Sequence, residues 1–240
     1  MILFLTILSG VAWTVVYVDA IRVGFRDKSY AIPAAALALN IAWESIYAIH
    51  SLSTGPSVQG FINLAWGLAD VAIVYTFFAF GRRELPGFVT RPMFIGWAVL
   101  LGIAGFAVQA LFVLKFDWDL AAPYAAFLQN LLMSGLFIAM FAARRGLRGQ
   151  TLVIGVSKWI GTLAPTINFG VLQDSPFILG IGALCSVFDL AYIGLLLWAK
   201  RNPSSCVQLT PVKTAFKGRE VYTNSGGGAE RTCRFPRWGA

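Results

Sequence analysis

The chain has 240 residues, of which 58% are hydrophobic and 12% charged, with a net charge of +8 and a mean hydropathy of +0.70. A soluble domain carries about 25% charged residues, so this chain has too little polar surface to cover a water-soluble globule. The excess positive charge does not mark a nucleic-acid partner, because the basic residues form short clusters between apolar runs rather than one stripe.

A helix that crosses a bilayer needs about 20 predominantly apolar residues. Seven stretches meet that length, at 1–23, 30–50, 59–81, 93–114, 120–143, 151–171 and 177–199. The expected fold class is therefore all-α, a polytopic membrane bundle of seven transmembrane helices. The first run starts at Met1 with no basic segment before it and reads as a span, not a cleaved signal peptide. The breaks between runs carry turn residues, as in Ser53-Thr54-Gly55-Pro56, Glu84-Leu85-Pro86-Gly87 and Asp174-Ser175-Pro176.

Cations alternate along these connections. The first holds Arg22, Arg26 and Lys28, the third Arg82, Arg83 and Arg91, and the fifth Arg144, Arg145 and Arg148, while Lys200 and Arg201 follow the last run. The second, fourth and sixth contain only Lys115. Short loops rich in Lys and Arg stay cytoplasmic, which predicts an outside N-terminus and a cytoplasmic C-terminus. Residues 201–240, with Gly226-Gly227-Gly228 and scattered basic residues, read as a flexible basic cytoplasmic tail able to meet lipid headgroups. Cys185, Cys206 and Cys233 have neither metal-ligand nor disulfide-framework spacing.

Ionisable groups at bilayer depth cost about 2.5 kcal/mol or more, so they face a protein interior and commonly have a task. Asp19 stands three residues before Arg22 and reads as an interfacial ion pair. Glu44 lies in Asn40-Ile41-Ala42-Trp43-Glu44, with Asn40 one turn earlier on the same face. An interhelical hydrogen bond or a functional acid would each account for it. Asp70 is mid-run in Trp66-Gly67-Leu68-Ala69-Asp70, and Asp189 is mid-run in Phe188-Asp189-Leu190-Ala191-Tyr192. Counting depth at about 1.5 Å per residue puts Asp70 and Asp189 near the middle and Glu44 somewhat closer to the outside, and the three are expected to converge on one cavity opening toward the outer half. Lys158 lies within about 12 Å of the cytoplasmic end and is expected to snorkel to it. His50 reads as an interfacial residue, and Gln109, Gln129, Asn130 and Asn168 as cavity or packing amides.

The chain holds eight Trp, seven Tyr and nineteen Phe. Many belong to interfacial belts and core, but Trp43 and Trp66 each neighbour an intramembrane acid. An aromatic face attracts cations, and a carboxyl held away from water favours its neutral, proton-carrying form. Acids without a histidine pair, nucleophile or metal motif fit proton-initiated chemistry on an apolar substrate better than hydrolysis. No DDxxD or DxDD occurs, so no metal and no cofactor are expected.

The Asn-x-x-Trp-Glu element at 40–44, the Trp66 to Asp70 segment and the Phe188 to Tyr192 segment resemble the small integral membrane terpene cyclases of fungal meroterpenoid and indole-diterpene pathways, which have bacterial relatives acting on farnesylated indole cyclodipeptides. The resemblance covers residues 1 to about 200. It implies cyclisation of a polyprenyl chain attached to an aromatic or indole-type unit, with Glu44 and Asp189 as the essential acids. It further implies that Asp70 and Asn40 position them. Asp70 thereby joins Glu44 and Asp189 as an expected catalytic residue, and Asn40, Trp43, Trp66 and Tyr192 are the expected substrate- and cation-pocket residues. The expected partners are a prenylated small molecule and membrane lipid, with no nucleic acid. A proton-coupled transporter, using the same acids as a relay, is the alternative. A retinal receptor is disfavoured because the last run has no lysine before Lys200.

Overall fold

A computed structural model describes residues 1–55 and 57–202. Apart from its first two residues, the expected tail at 201–240 lies outside the described residues. The described chain is all-helical. Its elements are α1 (Ile2–Asp27), α2 (Ala34–Thr54), α3 (Val58–Phe80) with a 3-10 extension Gly81–Glu84, α4 (Arg91–Lys115), α5 (Trp118–Arg144), α6 (Leu152–Pro165) continuing as a π-helical stretch Thr166–Leu172, and α7 (Pro176–Arg201).

Five of these helices, α1, α3, α4, α5 and α7, are long and apolar enough to cross a membrane. The two that fall short do so for identifiable reasons. Helix α2 spends its apolar quota on Asn40, Glu44, Ser45, His50 and Ser51. Helix α6 stops as regular α-helix at Pro165. Proline has no N–H to give to the carbonyl four residues back, which here is Gly161. That carbonyl accepts the Ser9 hydroxyl of α1 at 2.7 Å instead. The loosened turn is a π-helix, a form that recurs at functional sites, and it brings Asn168 and Phe169 to an internal cavity.

The helices close into a ring in the order α1, α3, α2, α4, α5, α7, α6, with α2 also touching α5 across the middle. Side-chain caps set several starts: Ser57, Thr90, Asp117 and Thr151 each accept the backbone N–H three residues on. Helices α2 and α4 approach closely because Gly105 has no side chain. A Cβ there would stand 2.5 Å from the Ala38 carbonyl oxygen. Gly105→Val is therefore expected to destabilise the fold by roughly 1–3 kcal/mol, read as a lower thermal-inactivation temperature in detergent.

The arginine-bearing connections meet at one end of the bundle. Arg148 donates to the Asp27 and Lys28 carbonyls at 3.3 and 3.1 Å and pairs with Glu84 at 3.3 Å. The Gly149 amide donates to Asp27 at 2.9 Å, and the Arg144 guanidinium lies 4.4 Å from the centre of the Tyr30 ring. Asp19 forms the expected pair with Arg22 and also accepts the Thr151 hydroxyl.

Candidate active site

A cavity of about 520 Å³ occupies the middle of the ring. Its walls come from α1, α2, α3, α5, α6 and the π-helical stretch, and neither α4 nor α7 contributes. It lies toward the end of the bundle away from the arginine cluster, where His50 and Trp118 stack at 3.6 Å with their planes nearly parallel. A cavity of this size falls in the range of small-molecule sites, about 300–1,000 Å³.

Helix α2 supplies one wall. Asn40, Trp43, Glu44 and Tyr47 are spaced to share one side of it, and all four line the cavity. Glu44 is 6% exposed, and its Oε2 is buried with no hydrogen-bond partner among the described residues. Asn40 Oδ1 accepts Gln129 Nε2 at 3.2 Å, and Gln129 Oε1 accepts Gln109 Nε2 at 2.7 Å. This amide chain runs from α4 through α5 to α2, so Gln109 orients a cavity residue from outside the cavity. Trp43 is held by its indole N–H, which donates to the Ala122 carbonyl at 3.1 Å. Its ring meets Tyr47 at 4.8 Å, and Tyr47 meets Trp118 at 5.9 Å, giving an aromatic series from the Glu44 level to the His50 end.

Helices α1 and α3 supply the facing wall. Tyr17 stacks on Trp66 at 5.9 Å, and the Trp66 indole donates to Thr14 at 3.2 Å. Behind these rings lies Asp70, 0% exposed, with both carboxyl oxygens unpartnered among the described residues. Asp70 does not line the cavity, but it neighbours Glu44 and the Tyr17 hydroxyl. The structure thus brings Glu44, Asp70, Asn40, Trp43 and Trp66 together.

Asp189 and Tyr192 stand apart from this group. Both are on α7, outside the cavity wall, so the three acids do not converge on one chamber. The physical reason is Lys158. It does not snorkel to the bundle end but is 1% exposed, and its ammonium meets both Asp189 oxygens, at 2.8 and 3.0 Å. Tyr192 donates to Gln150 Oε1 at 3.0 Å and packs on Phe137.

A family profile described as Pyr4-like transmembrane terpene cyclases matches residues 1–202. The chain belongs to that family. It is 33% identical over 167 residues to a Pyr4-family terpene cyclase, mfmH, of Annulohypoxylon moriforme, covering 69% of this chain and 68% of the relative. It is 24% identical over 204 residues to the terpene cyclase pyr4 of Aspergillus fumigatus, covering 80% and 84% respectively. The terpene cyclase ascF of Acremonium egyptiacum is 28% identical over 169 residues, covering 64% of this chain and 61% of the relative. No solved structure matches. As a member of this family the chain is an integral membrane protein of the terpene cyclase type.

Several wall residues of this membrane cyclase were not singled out from its sequence. Tyr17, Tyr47, Trp13 and Trp118 all face the cavity, yet each sits in an apolar or interfacial run where an aromatic residue is ordinary. Tyr17 had one usable signal. It lies on the side of α1 carrying Ser9 and Trp13, spaced at one turn, and all three line the cavity.

Proposed function

We propose that this protein cyclises a polyprenyl chain, farnesyl in length, attached to an aromatic or indole-type unit, by metal-independent protonation with Glu44 as the proton donor. The observation that carries the reading is the placement of Glu44: a carboxyl on the wall of an aromatic-lined cavity, with a second, unpartnered carboxyl, Asp70, behind it. Seven spans, an outside N-terminus and a cytoplasmic C-terminus accompany the proposal, supported by the arginine loops meeting at one end.

In the proposed step the Glu44 proton adds to the terminal alkene carbon, or to the oxygen of a terminal epoxide, and a cation forms at the adjacent tertiary carbon. Neighbouring alkenes attack it in turn, each forming one carbon–carbon bond and passing the cation along the chain. Loss of a proton from the last cation gives an alkene, or an internal nucleophile captures it. With an alkene substrate and terminal proton loss, the product is an isomer of the substrate. The aromatic rings on the wall shield the cation from premature capture by water, and Trp66 and Trp43 offer it their faces. The prenyl tail enters past the His50–Trp118 stack and reaches Glu44 about 9 Å deeper, six residues along α2, leaving the polar head near Gln59 and Asn63.

Trp66→Leu is expected to lower kcat by about 10- to 30-fold, the loss of one cation–π contact of up to about 2 kcal/mol. It should also raise the share of water-captured, incompletely cyclised product, measured by mass spectrometry of membrane incubations. The function is tested by incubating membranes with a farnesylated indole beside a proton-flux assay. A cyclic product is expected; flux without product would return the acids to a transport relay.

A further inference from the structure

The cation and acid that sit off the cavity form a unit that the proposed reaction does not use directly. Lys158 Nζ donates to Asp189 Oδ1 at 2.8 Å, to Asp189 Oδ2 at 3.0 Å and to Ser134 Oγ at 2.7 Å. Lys158 and Asp189 are each 1% exposed. An ammonium has three donors, and these contacts engage the whole head group. Asp189 carries no spare orientation toward substrate, because α7 is absent from the cavity wall.

The unit nevertheless reaches that wall. Ser134 stands one turn after Asn130 on α5 and donates its hydroxyl to the Asn130 carbonyl at 2.9 Å. Thr162 stands one turn after Lys158 on α6, and its hydroxyl donates to the Lys158 main-chain carbonyl at 2.9 Å. With its proton committed, Thr162 Oγ1 is left as an acceptor, and Asn130 Nδ2 donates to it at 2.6 Å. Asn130 and Thr162 both line the cavity, and Asn130 Oδ1 is buried there without a partner. Donor and acceptor bookkeeping thus fixes which way the Asn130 amide faces.

We infer that Asp189 is a positioning residue that acts through Lys158: the two compensate each other's charge and, with Ser134, tie α5, α6 and α7 together, which keeps Asn130 on α5 in register with Thr162 on α6 at the cavity wall. Breaking a buried pair by removing one partner leaves an uncompensated charge, whereas replacing both together can be nearly neutral. Asp189 matters for cyclisation on this account without giving a proton to the substrate. The inference rests on the proposed function for its activity readout but not for its stability readout.

The test compares Asp189→Asn, the double variant Asp189→Asn/Lys158→Gln, and Glu44→Gln in detergent-solubilised full-length protein. Asp189→Asn is expected to lower the unfolding temperature and to cut product formation by about 100-fold or more, with the residual product spread over several skeletons. The double variant, an amide pair with no acidic proton, is expected to restore the unfolding temperature, a single main product and a rate within about tenfold of wild type. Glu44→Gln should make no product at an unchanged unfolding temperature. A folded double variant that makes no product would overturn the inference. So would Asp189→Asn that keeps the wild-type unfolding temperature while inactive, since Asp189 would then be needed for its own proton. The unfolding temperatures decide the pairing even if the substrate class is different.

Discussion

Glu44→Gln is expected to abolish cyclisation while leaving the protein folded in the membrane. The substitution keeps the side chain's length and planarity and removes only the acidic proton. Proton transfer from a positioned group is worth about 10²–10⁴-fold, and an alkene offers no other polar handle by which the site could start the reaction. The loss should therefore reach the limit of detection rather than a modest decrease. Among the described residues Glu44 makes no ion pair and its Oε2 is unpartnered, so the change breaks no network there. The measurement is product formation from a defined farnesylated substrate, normalised to folded protein by size-exclusion profile and thermal unfolding. Normal turnover by Glu44→Gln would remove Glu44 as the donor.

Asp70→Asn is expected to lower kcat by about 100-fold with little change in KM. Asp70 is off the cavity wall and cannot touch substrate, so its effect must pass through Glu44 or Tyr17, its neighbours. A binding residue would move KM; a group that keeps Glu44 supplied and oriented moves kcat. Stability should respond in the opposite sense to activity. A buried carboxyl with two unpartnered oxygens carries a desolvation penalty of about 1–3 kcal/mol or more. Asp70→Leu, which removes that penalty, should unfold at the same or a higher temperature while being as inactive as Asp70→Asn. Steady-state kinetics and thermal unfolding on the same preparations check both halves. A Leu variant that is both active and stabilised would reduce Asp70 to a packing residue.

Much of the helical layout was legible because bilayer thickness imposes a length that hydropathy reports directly. The expected run at 93–114 matches Arg91–Lys115, and 177–199 matches Pro176–Arg201, within two residues at each end. The start of α2 moved from residue 30 to Ala34 because Pro33 disfavours a helical conformation at the residue before it. Ala31 and Ile32 are instead packed as buried, non-helical chain. The interruption of α6 was written in Pro165, but what it does depends on Ser9, 152 positions from Gly161, filling the freed carbonyl.

Within the site, the residues grouped by local spacing were the ones that came together. Asn40, Trp43 and Glu44 share a face by helix periodicity alone, and the cavity shows all three. What periodicity cannot report is which face of one helix meets which face of another. Lys158 and Asp189 are 31 residues apart on α6 and α7, and nothing local to either says that they touch. One interior cation among four interior acids carried a hint, since a charge buried at such depth is stable only when paired. Tyr17 was harder to see for the opposite reason: an aromatic residue in an apolar run has little contrast with its surroundings, and only its one-turn spacing from Ser9 and Trp13 set it apart.

The most direct test of the account is a structure of the Glu44→Gln variant bound to an unreacted farnesylated substrate. The account predicts the prenyl terminus within about 3–3.5 Å of the carboxamide that replaces the Glu44 carboxyl, the chain against Trp66 and Trp43, and the polar head toward His50 and Trp118. A prenyl terminus resting against α7 near Asp189, or a chain bound outside the cavity, would contradict it.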